Sequence, residues 1–585
     1  MKQFFKFTLA SALGVLIAAL VFSLLFFVII IGIAASSSSS TYIAQPKTVL
    51  HLKLEGELVE RSKDDPFGFL FGNYTNRDAQ IGLEDVLIAI KNAKENKNIE
   101  GIYIESGVFS GSAASIQEIR NALIDFKQSD KFIIAYGGSY LQNAYYLSTV
   151  ADKIILNPQG MLDFRGLSAQ PMYLKKALEN LGVNMQIFKV GTFKSATEMF
   201  SEDKMSEANR EQITAYIHAI WNQMLEDISA DRNISVDNLK AYADRMMTFQ
   251  PADQSLQYGL VDTLMYPNDV IDMLKEKVGT KQKKDLNLAS VSKVASIEKT
   301  GKPEKNKIAV VYAAGEIDMD SSEGIISEKL IKDLKKVRED ENVKAVVLRV
   351  NSPGGSAFGS EQIWKEVTAI KAVKPIVVSM GDYAASGGYY ISCAADYIIA
   401  QPTTLTGSIG IFGIMPDVSG LLNKVGIGFD KVKTNKFSDM PIMSRPMAAD
   451  EKALIQSFVE TGYDTFITRC ADGRKKTKEE IDQIGQGRVW AGDKAVELGL
   501  VDALGGISDA ITKAAELASV DKYDIDKYPV KKGFFELFFE GLDASMETRI
   551  LQKFLGSNYK QYDYLQRVQS MTGIQARLPF EIEIR

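Results

Sequence analysis

The feature that most restricts this chain is a long internal repeat. "MGDYAASGGYYIS" at Met380–Ser392 has a near copy in "YGGSYLQNAYYLS" at Tyr136–Ser148, and Tyr389 follows Tyr145 by 244 positions (389 minus 145). The same offset aligns "IEGIYIESGVFSGSA" at Ile99–Ala113 with "VKAVVLRVNSPGGSA" at Val343–Ala357. It also pairs Asp152 with Asp396, Pro158 with Pro402, Gly182 with Gly426 and Phe193 with Phe437. Further on, "YGLVDTL" at Tyr258–Leu264 is echoed by "LGLVDAL" at Leu498–Leu504. Chance does not hold one register that long, so the body is a tandem duplication. The period far exceeds that of a solenoid, and each copy must therefore bury its own core.

Within each copy, short β-branched runs alternate with helical spacing. "KAVVLRV" reads as a buried strand, "NSPGGS" as a loop, "AFGSEQIWKEVTAIKA" as a helix, "KPIVVSM" as a second strand, and "SGGYYISCAA" opens a helix. Such alternation predicts parallel βαβ units and an α/β fold. The predicted organisation is an N-terminal anchor over 1–40, a first repeat over 45–280, a linker over 281–305, a second repeat over 306–520 and a tail over 521–585. The linker reading rests on the charged stretch "TKQKKDLNLASVSKVASIEKTGKPEKNK". In the tail, the aromatic cluster "GFFELFFEGL" reads as packed core or subunit contact.

After Lys2 and Lys6 the chain runs without charge from Phe7 to Ala35. That exceeds the roughly 20 apolar residues a bilayer span needs and is much longer than a signal-peptide core. The alternative is a long cleavable signal sequence clipped near "GIAAS"; length favours an uncleaved single-pass anchor. The two lysines stay on the cytoplasmic side under the positive-inside rule, which puts the body on the outer side of the cytoplasmic membrane. A net charge of −6 leaves no basic stripe for nucleic acid. With only two cysteines, Cys393 and Cys470, neither a disulfide framework nor a cysteine zinc site is expected.

Ser386 falls at a strand-to-helix turn among Ala384, Ala385, Gly387 and Gly388, where another backbone can approach its hydroxyl. One role for such a serine is a helix cap; another is a nucleophile. Backbone N–H groups of Gly354 or Gly355, with that of Gly387, are candidates to hold an oxyanion, although an isolated Pro-Gly-Gly is ordinarily a plain turn. A nucleophilic serine needs a base, and a His triad is nearly excluded by counting. The two histidines are His51, in the first strand after the anchor, and His218, in a helical stretch. A buried lysine whose pKa falls toward neutrality is the remaining base. The offset then identifies one. Ser386 corresponds to Gln142 in the first copy, whereas Lys194, in "VGTFKSATEMF", corresponds to Ser438 in the second, with Lys436 two residues away. Each copy lacks what the other keeps, as though one active site were divided between them.

At these residues the sequence resembles the long form of the SppA (protease IV) family of bacterial signal peptide peptidases. The resemblance covers nearly the whole chain through "GTFKSATEMF", "SPGGS", "YAASGGYYIS" and "TLTGSIGIFG". It implies two tandem Clp/crotonase-like α/β domains, with Ser386 as nucleophile and Lys194 as general base. Ser408, in "TGSIG", is implied as the hydroxyl that holds the lysine amine. Short members of the family carry both residues in one copy. Long members are bowl-shaped homotetramers on the outer face of the cytoplasmic membrane, and their substrates are hydrophobic peptides such as cleaved signal peptides. No metal or other cofactor is implied, and no Walker sequence supplies an ATPase. A crotonase-type acyl-CoA enzyme is the rival enzymatic reading, disfavoured by an anchor that separates the body from CoA. A non-catalytic membrane scaffold is the rival of another class, and labelling by a serine-reactive probe separates it from a peptidase.

Overall fold

The computed structural model describes residues 2–37, 41–62, 80–281, 284–297, 302–318, 324–531 and 574–577. Both halves of the body are α/β, each built on its own sheet. In the first half seven parallel strands run in the order Gln80–Gly82, Thr48–Val59, Ile99–Ser110, Phe132–Gly137, Lys153–Leu156, Thr263–Leu264, with Leu288–Ser290 also paired to Thr48–Val59. In the second half the order is Val489–Ala491, Leu405–Gly407, Ile376–Ala385, Val343–Ser352, Lys307–Ala314, Asp524–Tyr528. Tyr397–Ala400 branches from Ile376–Ala385 and carries Ala503–Leu504. These strands are near-continuous apolar runs because helices cover both faces. Ile102, Ile104, Ile133 and Ile154 of the first core, and Val346, Leu348, Val378 and Ile398 of the second, have no solvent exposure.

The repeat persists in detail. Tyr145 Oη donates to Leu260 O at 2.9 Å and Tyr389 Oη to Leu500 O at 3.0 Å. Asp262 accepts from Ile154 N at 2.7 Å, as Asp502 does from Ile398 N at 2.8 Å. Ser148 Oγ and Ser392 Oγ each donate to the carbonyl four residues back. In each copy the tyrosine ties the helix after the middle strand to the loop before the last short strand, and the aspartate ties that loop to the neighbouring strand.

A third, four-stranded antiparallel sheet joins the halves, in the order Gly354–Ser356, Ile574–Arg577, Ile411–Asp417, Asn184–Val190. Its outer strand Asn184–Val190 comes from the first half and pairs along seven residues with Ile411–Asp417 of the second. Lys194 follows that strand by four residues.

Two expectations need correction. The segment 281–305 is more than a linker. Leu288–Ser290 adds to the first sheet, Val291–Ala295 forms a helix against Leu83–Glu95, and Ala289 and Val294 are fully buried. A few apolar residues within a charged run suffice to dock it. Nor is everything past 520 a separate tail, because Asp524–Tyr528 completes the second sheet beside Lys307–Ala314. The cluster "GFFELFFEGL" lies outside the described residues. Among the described residues one helix, Lys2–Ser37, is long and apolar enough to cross a membrane.

Candidate active site

The strand Ile376–Ala385 ends on Ser386, which stands at φ 56°, ψ −113° before the helix Gly387–Ser392 begins. An L-residue adopts that conformation only when its surroundings force it. Here Ser386 N donates to Gly407 O at 2.8 Å, and Ser386 O accepts from Tyr390 N at 2.8 Å. Both ends of the residue are thereby fixed, and its side chain is fully buried.

Into the same pocket comes Lys194, also without solvent exposure. Its Nζ is within hydrogen-bond distance of Ser386 Oγ (2.8 Å), Ser408 O (3.0 Å) and Ser408 Oγ (3.1 Å). Among the described residues no carboxylate offsets the loss of water. Burial alone drives the amine well below the usual lysine range, toward the free-base form. Ser408 is itself constrained, at φ 50° with its N–H donated to Arg488 O at 2.7 Å.

The lysine loop is held by residues that carried no motif. Gln212, buried on the helix Glu207–Arg232, donates to Phe193 O at 3.1 Å and Ser195 Oγ at 2.7 Å, and accepts from Val489 N at 3.2 Å. Phe193 N donates to Gln486 O at 2.8 Å. Gly487 lies directly against the lysine: a methyl group there would sit 2.6 Å from both Lys194 N and Lys194 Cβ. A buried glutamine amid the polar face of a helix gives no sequence signal, and the glycine in "GQGRVW" reads as an ordinary turn.

Among the predicted oxyanion donors, Gly354 and Gly387 come together; a methyl on Gly354 would lie 2.7 Å from Gly387 N. Gly354 N donates to Ser352 Oγ at 3.2 Å. Gly355 instead abuts Ile317, whose carbonyl oxygen would be 2.3 Å from a methyl at that position.

Behind the glycine turn, charges from both halves meet in the interior. Arg349, on the strand leading to Gly354, binds Glu60 at 3.0 Å and Glu118 at 2.8 Å from the first half. Asn351 Nδ2 donates to Glu60 and Asp382, both at 3.0 Å, and Asp382 accepts from Ser115 N and Oγ at 2.8 Å. Burial pushes the Glu118 carboxyl up against the opposing pull of Arg349. It raises Asp382 too, helped by nearby Glu60.

The counterpart position in the first half has no such chemistry. Gln142 Oε1 accepts from Arg165 N and Gly166 N, both at 3.0 Å, so the side chain braces a loop. Phe164, which aligns with Ser408, is buried against Tyr145 and Trp221. In the second half Ser438 is exposed, and Lys436 pairs with Asp450 on the surface.

Comparison with known proteins finds relatives over most of the chain. The chain is 39% identical over 492 residues to "Protease 4" of Salmonella typhi, covering 82% of this chain and 79% of that protein. It is 35% identical over 515 residues to "Protease 4" of Haemophilus influenzae, covering 85% and 83%. To "Serine protease SPPA, chloroplastic" of Arabidopsis thaliana it is 30% identical over 440 residues, covering 73% and 64%. Among solved structures, a point mutant of ClpP1 from Listeria monocytogenes aligns with 34% of this chain and 94% of its own. The TM-score is 0.24 at 15% identity, a likeness too slight to carry an argument. The model of "Peptidase family S49" matches twice, over residues 125–281, which include Lys194, and over 368–521, which include Ser386. With one match on each side of the Lys194–Ser386 contact, the chain belongs to peptidase family S49 and is a serine-type peptidase.

Proposed function

We propose that the chain is a membrane-anchored endopeptidase working through a Ser–Lys dyad split between its two repeats. Ser386 is the nucleophile and Lys194 the general base. The hydrogen bond of 2.8 Å between a fully buried lysine amine and a serine hydroxyl carries this reading. As Oγ attacks a peptide carbonyl, neutral Nζ takes the hydroxyl proton, with Ser408 holding the amine in line. The amide of Gly387, with that of Gly354 once it leaves Ser352, stabilises the oxyanion, and Gly355 shapes the turn. The protonated amine then gives its proton to the leaving nitrogen. Water repeats the sequence on the acyl-enzyme, releasing a carboxylate and restoring neutral lysine.

The reading extends to setting. The helix Lys2–Ser37 anchors the chain, the body faces the outer side of the cytoplasmic membrane, and copies assemble as a homotetramer. Hydrophobic peptides, including cleaved signal peptides, are the substrates. A similar protein of Enterococcus faecium carries the name "Putative signal peptide peptidase SppA". A fluorophosphonate probe tests the chemistry: wild type is labelled on Ser386, whereas Ser386→Ala is not labelled and Lys194→Met is labelled far more slowly. Full cleavage of an apolar peptide by both variants would refute the dyad.

A further inference from the structure

Arg488 belongs to the second repeat but reaches across to the lysine loop of the first. Its guanidinium lies over the ring of Phe193, the residue before Lys194, with Cζ 4.5 Å from the centroid. It also lies over the ring of Trp490, at 4.4 Å, and the indole is fixed by donating from Nε1 to Ile484 O at 2.9 Å. Arg488 Nη2 donates to Glu211 Oε1 at 2.6 Å, on the same helix as Gln212. The main chain of Arg488 serves the other side of the site. Its carbonyl accepts from Ser408 N at 2.7 Å, and the preceding Gly487 lies against Lys194. Phe193, Arg488 and Trp490 are each half-buried, whereas Lys194 has no exposure. The repeat supplies a control here too. The echo of "YGLVDTL" in "LGLVDAL" sets an offset of 240 (498 minus 258), which puts Thr248 in the place of Arg488. Thr248 Oγ1 donates to Asp163 at 2.6 Å. The position carries a guanidinium in the copy that meets Lys194 and a hydroxyl in the other.

A lysine serves as base only while its amine stays dry. Around the Lys194 amine stand the hydroxyls of Ser386 and Ser408 and the ring of Phe412, whose centroid is 5.9 Å from Nζ. Among the described residues burial is what lowers its pKa, so a cation nearby acts on it through packing rather than through charge. Arginine suits that task, because its plane stacks on aromatic rings while its edge pairs with a carboxylate, and a lysine ammonium does not stack in this way. The Glu211 end of the ion pair is 57% exposed and adds little, which leaves the stack to carry the contact. We infer that Arg488 is a positioning residue: stacked on Phe193 and Trp490, it clamps the lysine loop to the serine-bearing repeat and keeps water from the Lys194 amine. This rests on the dyad reading above. Loosening the stack would admit water, favour the ammonium form and move deprotonation to higher pH, with Ser386 and the glycine turn left in place.

The test follows the rate at which a fluorophosphonate labels Ser386 as pH is varied, using the full chain and its variants Arg488→Met, Arg488→Lys and Phe193→Leu. Each variant should move the midpoint of the rate–pH profile upward by about 1. That is a roughly tenfold loss below the midpoint, shrinking to within about twofold on the alkaline plateau. Turnover of acetyl-Leu-Leu-Ala-aminomethylcoumarin should show the same shift in kcat/KM. Circular dichroism identifies any variant that fails to fold, and the milder Arg488→Lys and Phe193→Leu then carry the comparison. An unmoved midpoint in the folded variants overturns the inference. So does a loss equal at every pH, which marks general damage to the site. A wild-type midpoint in Arg488→Lys beside a shifted one in Arg488→Met also overturns it, since charge and not stacking would be the cause. Failure of the dyad looks different: the wild-type rate would not rise with pH, or Ser386→Ala would still cleave.

Discussion

Lys194 Nζ lies 2.8 Å from Ser386 Oγ although 192 residues separate them and each belongs to a different repeat. Because burial alone depresses the amine, the pH dependence has a definite sign. Activity should rise with pH as Lys194 loses its proton and level off above its folded pKa, well short of the usual lysine value. A kcat/KM profile flat across the acid-to-neutral range would contradict a lysine base.

The same burial predicts a stability change. The folded chain keeps Lys194 neutral at pH values where the unfolded chain protonates it. The unfolded state therefore binds more protons in that window, and stability rises with pH toward the unfolded lysine pKa of 10.5. Lys194→Met removes this penalty. Its melting temperature should exceed the wild type's at neutral pH, with the gap closing as pH approaches 10.5, as scanning calorimetry would show.

Gly487 leaves room for the lysine backbone. Gly487→Ala would place a methyl 2.6 Å from Lys194 N, at a residue with φ 79°. Backbone strain and overpacking together should cost about 2–4 kcal/mol, and the displaced amine should lower kcat by roughly 100-fold or more. Denaturant titration and turnover measured on one preparation would separate the two effects.

Gln212 ties the lysine loop to Val489 without touching the reacting atoms. Gln212→Leu should lower kcat roughly tenfold while KM stays close to wild type, and Gln212→Glu should restore only part of it, because the amide donors are lost. A fall in KM of equal size would point to a different role.

Arg349→Met would strand Glu60 and Glu118 in the interior. Breaking a buried pair in this way costs about 3–5 kcal/mol, and the effect should ease on acidification as the freed carboxyls take up protons in the folded state. Adding Glu60→Gln and Glu118→Gln should recover much of the loss. Equal destabilisation under mildly acidic and mildly alkaline conditions would show that the carboxylates are not the cause.

What the sequence made legible follows from how each feature is encoded. Strand and helix alternation is written in local periodicity, so the α/β class was readable in both copies. Ser386 and Lys194 stood out because the repeat supplied an internal control: Gln142 and Ser438 occupy their equivalent places. The supports of the lysine were hidden, since Gln212 and Gly487 act through contacts between segments far apart in the chain. Leu288–Ser290 was lost in a charged stretch, where two or three apolar residues decide docking but hardly alter composition. Ile574–Arg577 was invisible for a similar reason. Its partners are backbone edges, which any short sequence can satisfy.

The seven-residue ladder between Asn184–Val190 and Ile411–Asp417 has a practical corollary. It is one of the contacts that join the halves, and Lys194 lies four residues beyond its end. On the dyad reading, heat or denaturant that opens this ladder should end turnover by moving Lys194 from Ser386, so loss of turnover should come ahead of any spectroscopic sign of melting.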